Sequence, residues 1–371
     1  MKFGIGVLGA TGYIGTPYRK EIREIPDAAA IVAVCARRRE LLLKAAAEDH
    51  AVLATDDWRE VVEHPDVNLV IVATPDALHF EPVLECARLG KHVFCEKPIA
   101  ANAAEARSMW RAVQSAGVAH YVPFWTRYVP VVRRAREILK SGMLGEIMAI
   151  VYRWHNPRPP GMPFTWRDDA RLSSAGSLAD VGSHAYDTMR WLLDDEAKRV
   201  LCHAEVITPA KPDLGEINLD EALAAGNAQT IASSIALKKG TAYDYAAVAI
   251  EFARGTVGSL VLSHAPFVRK GLAPEIELHG TEASLAINRA KSTLTIARQG
   301  KDPALLESVE ETGFDNRFAR FVFPGLHNRI NAQATEHPGM DDGYRVQLFT
   351  DAAALSARRG TWVPLADLDK S

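Results

Sequence analysis

The chain has 371 residues, 48% of them hydrophobic and 24% charged, with a formal net charge of -3; this is ordinary globular composition, and the length exceeds what one hydrophobic core usually serves. The balance gives no general pull toward nucleic acid or a membrane, although a local patch such as Arg37-Arg38-Arg39 can still hold one phosphate. No stretch is apolar for long enough to span a bilayer, and Met1 to Leu8 runs into a glycine-rich turn rather than a signal-peptide core. Four widely spaced cysteines, Cys35, Cys86, Cys95 and Cys202, lack a C-x-x-C pair, which suits a reduced compartment, taken as the cytoplasm. No disulfide framework or metal site is expected.

Up to about residue 122, short β-branched runs alternate with helical patterns, the sequence form of parallel βαβ units. Strands are expected at Ile5 to Leu8, Ile31 to Val34, Leu69 to Val72, His92 to Phe94 and Val118 to Tyr121. Helices are expected at Tyr13 to Ile25, Arg38 to Asp49, Leu78 to Leu89 and Asn102 to Ala116. After the first strand comes Gly9-Ala10-Thr11-Gly12-Tyr13-Ile14-Gly15, in the context a dinucleotide fingerprint requires: glycines let backbone approach a pyrophosphate, and the helix N-terminus directs N–H groups at it. The spacing is one residue longer than G-x-G-x-x-G, so the individual phosphate contacts of Gly9, Thr11, Gly12, Tyr13 and Ile14 stay open.

The second strand ends at Val34-Cys35-Ala36, where an NAD-preferring site offers an acid to the ribose. Arg37, Arg38 and Arg39 follow instead, and guanidinium groups beside a missing carboxylate suit the 2′-phosphate of NADP. NADP is the expected cofactor and NAD the alternative; a solvated helix start is the plain reading of these arginines. Thr74-Pro75-Asp76-Ala77-Leu78-His79 and Cys95-Glu96-Lys97-Pro98 both fall at strand C-termini, the edge where open α/β sheets take ligands. Thr74, Pro75, His79, Glu96 and Lys97 are thus cofactor candidates, Asp76 is equally a helix cap, and the Lys97-Pro98 bond can be cis.

Beyond Pro123 the pattern changes, with a helix from about Val129 to Lys140 and a strand from Ile147 to Trp154. A Pro- and Trp-rich connection, Asn156 to Trp166, leads to a helix near Ser183 to Leu193. Alternating strands include Ala247 to Phe252 and Val257 to Ser263, joined across Arg254-Gly255-Thr256 like a tight hairpin, and a last helix runs from about Asp342 to Arg358. Such strands form an open, mainly antiparallel sheet. Pro209 to Ala232 and Asn316 to Pro338 have no clear period and read as pocket-lining loops or plain surface.

Asp180 and His184 stand four apart, on one face if helical. Oxidising a secondary alcohol requires a base for the hydroxyl proton as hydride leaves carbon, a task that suits imidazole at neutral pH. His184 fits it; Asp180 would orient that ring or bond a substrate hydroxyl, and Lys97 would stabilise alkoxide charge. Taken alone, the spacing is explained as well by a surface pair or helix cap.

Together the glycine turn, Glu96-Lys97-Pro98 and Asp180-x-Gly182-x-His184 resemble the glucose-fructose oxidoreductase and inositol dehydrogenase family. So do Ala73-Thr74-Pro75-Asp76 with His79, Gly142-Met143-Leu144-Gly145-Glu146-Ile147, Glu277-Leu278-His279-Gly280-Thr281-Glu282 and Asp342-Gly343-Tyr344. The resemblance implies an α/β protein: a Rossmann doubly wound parallel sheet over 1–122, then a substrate-binding α/β domain over 123–371 whose open sheet packs in a homodimer or homotetramer. It implies Lys97, Asp180 and His184 as the catalytic set. It also places Thr126-Arg127-Tyr128 near nicotinamide and substrate, which makes Arg127 a pocket candidate beside the alternative of a structural salt bridge. The chain departs from the family pattern at Ala175, in the lengthened glycine turn and at Ala36.

Trp154, His155, Asn156, Arg158, Trp166 and Arg167 crowd the connection before Asp180. Aromatic faces suit sugar rings and planar arginines suit a carboxylate or sulfate, so Trp154, His155, Trp166 and Arg167 join Lys97, Arg127, Asp180 and His184 as substrate candidates; packing explains any single one as well. The expected activity is hydride transfer between NADP, or NAD, and a secondary hydroxyl or ketone of a sugar, cyclitol or related polyol. Two other readings stay open: an NAD-dependent glycosidase working by transient oxidation, and a non-catalytic sugar-binding sensor, which has no need of Lys97, Asp180 and His184 together.

Overall fold

Phe3–Leu8 (β1) is buried along almost its whole length, the form of a parallel strand covered on both faces. In the computed structural model, which describes residues 2–215, 217–228, 234–312 and 315–369, it is followed by α1 (Gly15–Arg23), β2 (Ala29–Cys35), α2 (Arg39–Asp49), β3 (Leu53–Thr55), α3 (Trp58–Glu63), β4 (Leu69–Val72), α4 (Phe80–Arg88), β5 (His92–Cys95), α5 (Ala103–Ser115) and β6 (His120–Tyr121). The six strands pair in parallel in the order β3-β2-β1-β4-β5-β6. Strand order reverses between β1 and β4, the switch point where such sheets take ligands. The doubly wound sheet read from the sequence is therefore present. Its edge strand β3 and the helix α3 are additions, since three strand residues are too few to display an alternation.

The chain continues with α6 (Pro130–Lys140), β7 (Ile147–His155), α7 (Ser177–Leu193), β8 (Ala197–Glu205), β9 (Lys211–Pro212), α8 (Leu219–Ala228), β10 (Leu237–Lys238), β11 (Tyr245–Phe252), β12 (Val257–Ser263), β13 (Ile276–Gly280), β14 (Ser284–Asn288), β15 (Thr293–Ala297), β16 (Ala304–Ser308), α9 (Phe323–Ile330), α10 (Met340–Arg359), β17 (Val363–Pro364) and α11 (Leu365–Asp369). A nine-stranded sheet runs β16-β15-β14-β13-β7-β12-β11-β8-β17. Only β12 and β7 pair in parallel in it, in keeping with the open, mainly antiparallel sheet expected.

Two compact units result: Met1–Pro123 with Glu216–Ala222 and Phe314–Gln347, and Phe124–Gly215 with Leu223–Gly313 and Leu348–Ser371. The aperiodic stretch 316–338 turns out largely helical. A π-helical turn, Phe318–Val322, runs into α9, and the Phe318 ring lies 5.4 Å from Tyr18 and 5.5 Å from Phe94. Its cohesion comes from clustered aromatics rather than an amphipathic stripe, so no period marks it. Of the other ambiguous stretch, β9 and α8 are formed, while 216 and 229–232 lie outside the described residues. All four cysteines are buried and unbridged. Among the described residues no helix is long and apolar enough to cross a membrane.

Within the first unit, His120 is buried and its Nδ1 accepts the Met340 N–H at 3.0 Å. Burial, then the Arg329 charge, pushes it from 6.5 down to about 3. Between those values the unfolded chain takes up a proton that the folded chain does not, so stability declines as pH falls from about 6.5 toward about 3. A urea-unfolding series should show a decline of up to about 1.4 kcal/mol per pH unit from each such histidine, and His120→Asn should flatten it; equal slopes in the two proteins would refute the assignment.

Candidate active site

The functional edge of the first unit is built from loops after β1, β2, β4 and β5. The N–H groups of Gly9 and Ala10 both donate to the Cys35 carbonyl, at 3.0 and 3.1 Å. Gly9 has φ 80°, and a Cβ there would stand 2.5 Å from the Ala73 carbonyl oxygen; both the left-handed conformation and the missing side chain are required. Gly15 would bring a Cβ to 2.2 Å from the Gly9 carbonyl oxygen, whereas at Gly12 that oxygen is the sole neighbour within 4 Å, at 3.2 Å. The bare side of Gly12 is a cradle of the kind a pyrophosphate needs. Because Gly9 to Gly12 closes a turn of its own (N–H to O, 3.0 Å), the helix expected from Tyr13 begins only at Gly15. Thr11 and Ile14 are half-buried in that turn and Tyr13 is exposed.

After β4, the Thr74 Oγ1 is buried with no hydrogen-bond partner among the described residues, an orphan that fits a polar atom of a bound dinucleotide. Pro75 precedes a 3-10 turn, Asp76–Leu78. His79 is buried, with Nε2 2.9 Å from the Thr74 carbonyl oxygen and Nδ1 3.1 Å from that of Pro98. That ring braces two loops at the edge where it was expected to meet the cofactor. Glu96 is buried too: its carboxylate accepts from the Tyr18 hydroxyl and, at 3.1 Å, from the Lys97 backbone N–H. It holds Lys97 in place from behind. The Lys97–Pro98 peptide is cis, and Lys97 is half-buried.

At the end of β2, Arg38 meets a partner that no local pattern shows. Its Nη2 and Nη1 donate to Glu221 Oε1 and Oε2 at 2.7 and 2.9 Å, across 183 positions of sequence. The guanidinium holds the Glu221 carboxyl below the usual carboxylate range. The fork assigned to a cofactor phosphate thus faces a carboxylate of the same unit. Arg37 follows Ala36 directly and is exposed.

In the second unit, Gly176 adopts φ 56°, and a Cβ there would stand 2.1 Å from the Tyr243 carbonyl oxygen. It turns the chain into α7, which starts at Ser177 and not near Ser183; a glycine without a capping side chain is a weak start signal. Asp180 and His184 therefore lie one turn apart on one helix. Gly182 between them lets that helix sit close on β12, since a Cβ would come to 2.8 Å from Leu262.

The His184 ring stacks on Trp154 (5.7 Å, 23°) and meets Phe124 edge-on at 6.2 Å, which fixes the plane of the imidazole. Asp180 accepts a hydrogen bond from Arg158 at 3.1 Å, with Arg167 Nε at 3.7 Å and His264 Nε2 at 3.3 Å. Burial, then the charge of Arg158, pushes His264 down to about 3, so it faces Asp180 as a neutral ring. Arg167 also lies over Trp166, 4.3 Å from the ring centroid. Arg158 lies in the arginine-bearing connection singled out from the sequence, whereas His264 does not, since a lone histidine after an alternating strand carries no periodic signal.

Two expected substrate residues are placed elsewhere. Alternation along β7 sets Trp154 and His155 on opposite faces, and His155 Nδ1 stands 3.1 Å from the Arg269 carbonyl oxygen, so His155 is not gathered with Trp154 and His184. Arg127 is buried and turned onto Asp187 with two parallel bonds, its Nε at 2.7 Å. It is a structural salt bridge, the alternative weighed against a pocket role. Among the described residues no group of three His, Cys, Asp or Glu side chains could hold a metal ion.

A glycine turn at a sheet switch point and a helix carrying an aromatic-framed histidine beside a paired aspartate define a dinucleotide-binding oxidoreductase. Residues 3–124 match the oxidoreductase family with an NAD-binding Rossmann fold, and residues 132–286 match the GFO/IDH/MocA C-terminal domain. The chain belongs to the GFO/IDH/MocA oxidoreductase family. It is 28% identical over 341 residues to a levoglucosan dehydrogenase of Pseudarthrobacter phenanthrenivorans, covering 85% of this chain and 84% of that protein. It is 26% identical over 292 residues to a myo-inositol 2-dehydrogenase of Thermotoga maritima, covering 79% and 77%. A levoglucosan dehydrogenase solved with NADH and L-sorbose shares the fold, with a TM-score of 0.82 at 23% identity over 99% of this chain and 100% of the other.

Replacing Arg127 by Met should lower the unfolding free energy by about 3 kcal/mol, because Asp187 loses its bidentate partner inside the fold. Urea denaturation checks this: unchanged stability accompanied by a raised substrate KM would instead return Arg127 to the pocket.

Proposed function

We propose that the chain transfers hydride between a nicotinamide cofactor, NADP in preference to NAD, and a secondary hydroxyl or ketone of a sugar, cyclitol or related polyol, with Lys97, Asp180 and His184 as its catalytic set. The observation that carries the proposal is the His184 imidazole, held by Trp154 and Phe124 one helical turn from Asp180. The bound dinucleotide supplies the hydride acceptor or donor. A ring nitrogen of His184 takes the proton of the reacting hydroxyl, and returns it in reduction. Lys97 would stabilise alkoxide charge as it develops. Asp180, which accepts from Arg158 and stands near Arg167, would accept from a neighbouring hydroxyl. Trp154 and Trp166 offer flat faces to C–H surfaces of a ring.

Gly9, Thr11, Gly12, Tyr13, Ile14, Arg37, Thr74 and Pro75 would hold the dinucleotide, with His79 and Glu96 as braces behind them. The names of the levoglucosan and myo-inositol dehydrogenases support a sugar or cyclitol as substrate. Ala36 followed by Arg37 and Arg38 supports NADP. A cytoplasmic homodimer or homotetramer, with residues 1–122 serving the cofactor and 123–371 the substrate, belongs to the same reading and rests on the family resemblance and on unbridged cysteines.

Lys97→Ala and His184→Ala should each lower kcat by about 10²- to 10⁴-fold, followed as nicotinamide absorbance across a panel of sugars and polyols with each cofactor. Wild-type turnover in both variants would remove these residues from the chemistry.

A further inference from the structure

The Arg38–Glu221 pair has three properties that an incidental surface ion pair lacks. First, it is bidentate, at 2.7 and 2.9 Å, the geometry in which arginine discriminates between acidic partners rather than merely attracting them. Second, the carboxylate is oriented from behind: Glu221 Oε2 also accepts the Asn218 backbone N–H at 2.9 Å, one half of a capping box at the start of α8. Third, the stretch that carries it, 216–222, belongs to the first unit although the sequence around it belongs to the second, and Leu219 and Ala222 beside Glu221 are buried. Apolar anchors flank an acid that reaches the residue two places after Ala36.

Ala36 is where β2 lacks the acid that a ribose hydroxyl would bond. We propose that Glu221 supplies that carboxylate from a distant part of the chain and is a specificity-determining residue for the 2′ position of the cofactor. It favours a ribose hydroxyl and opposes a 2′-phosphate, both by repelling that group and by occupying the Arg38 fork that would bind it. The preference for NADP is accordingly smaller than Arg37 and Arg38 alone would give. This inference rests on the cofactor reading above for the placement of Arg38 at the adenosine ribose.

Titration calorimetry with adenosine 2′,5′-bisphosphate and with 5′-AMP reads the 2′ position on the full chain without turnover. Glu221→Gln and Glu221→Ala should each raise the ratio of bisphosphate to AMP affinity on the order of tenfold over wild type, and Arg38→Ala should lower it by a similar factor. Steady-state kcat/KM ratios for NADP against NAD should move in the same directions. A ratio within about twofold of wild type in both Glu221 variants overturns the inference. The wild-type ratio itself tests the NADP preference separately: if AMP binds as tightly as the bisphosphate, that preference fails, while the role of Glu221 is still decided by the change between variant and wild type.

Discussion

The close backbone approach at the end of β1, where a Cβ on Gly9 would stand 2.5 Å from the Ala73 carbonyl oxygen, is the constraint from which the functional edge of the first unit follows. It brings the glycine turn against the loop after β4. His79 then ties that loop, through the Thr74 carbonyl, to the turn after β5, through the Pro98 carbonyl. Glu96 closes the same turn onto Tyr18 and the Lys97 N–H. Lys97 is thereby placed by backbone contacts and buried polar partners rather than by a flexible loop.

The second unit sets a different arrangement, an aspartate and a histidine one helical turn apart in a half-buried place. The Asp180 charge is balanced by Arg158 and Arg167, drawn from the irregular connection after β7, and the third neighbour, His264, stays neutral through burial. His184 is instead framed by rings, Trp154 and Phe124. One helix thus presents two side chains whose surroundings differ, arginines around the aspartate and rings around the histidine.

Features with a period or a fixed local context were legible in the sequence. The parallel sheet, the glycine turn, the lysine at a strand end, the Asp-His pair and the hairpin across Arg254-Gly255-Thr256 all depend on residues near one another in the chain. What escaped depends on distant partners: Glu221 on Arg38, Asp187 on Arg127, the aromatic seat of 318–322, and His264 beside Asp180. His155 stands apart for a simpler reason, since a residue next to Trp154 on a strand points the other way. α7 begins earlier than its helical pattern shows because Gly176 enters the helix through a positive-φ turn with no capping side chain.

Direct hydride exchange between nicotinamide and a substrate carbon can be followed by isotope tracing. Reduced cofactor deuterated at the transferring position would be incubated with the enzyme and a panel of ketoses and keto-cyclitols, and each product analysed by mass spectrometry. The expected product bears one deuterium on the newly formed carbinol carbon. Reduced product without the label, or consumption of labelled cofactor with no sugar-derived product, would contradict it.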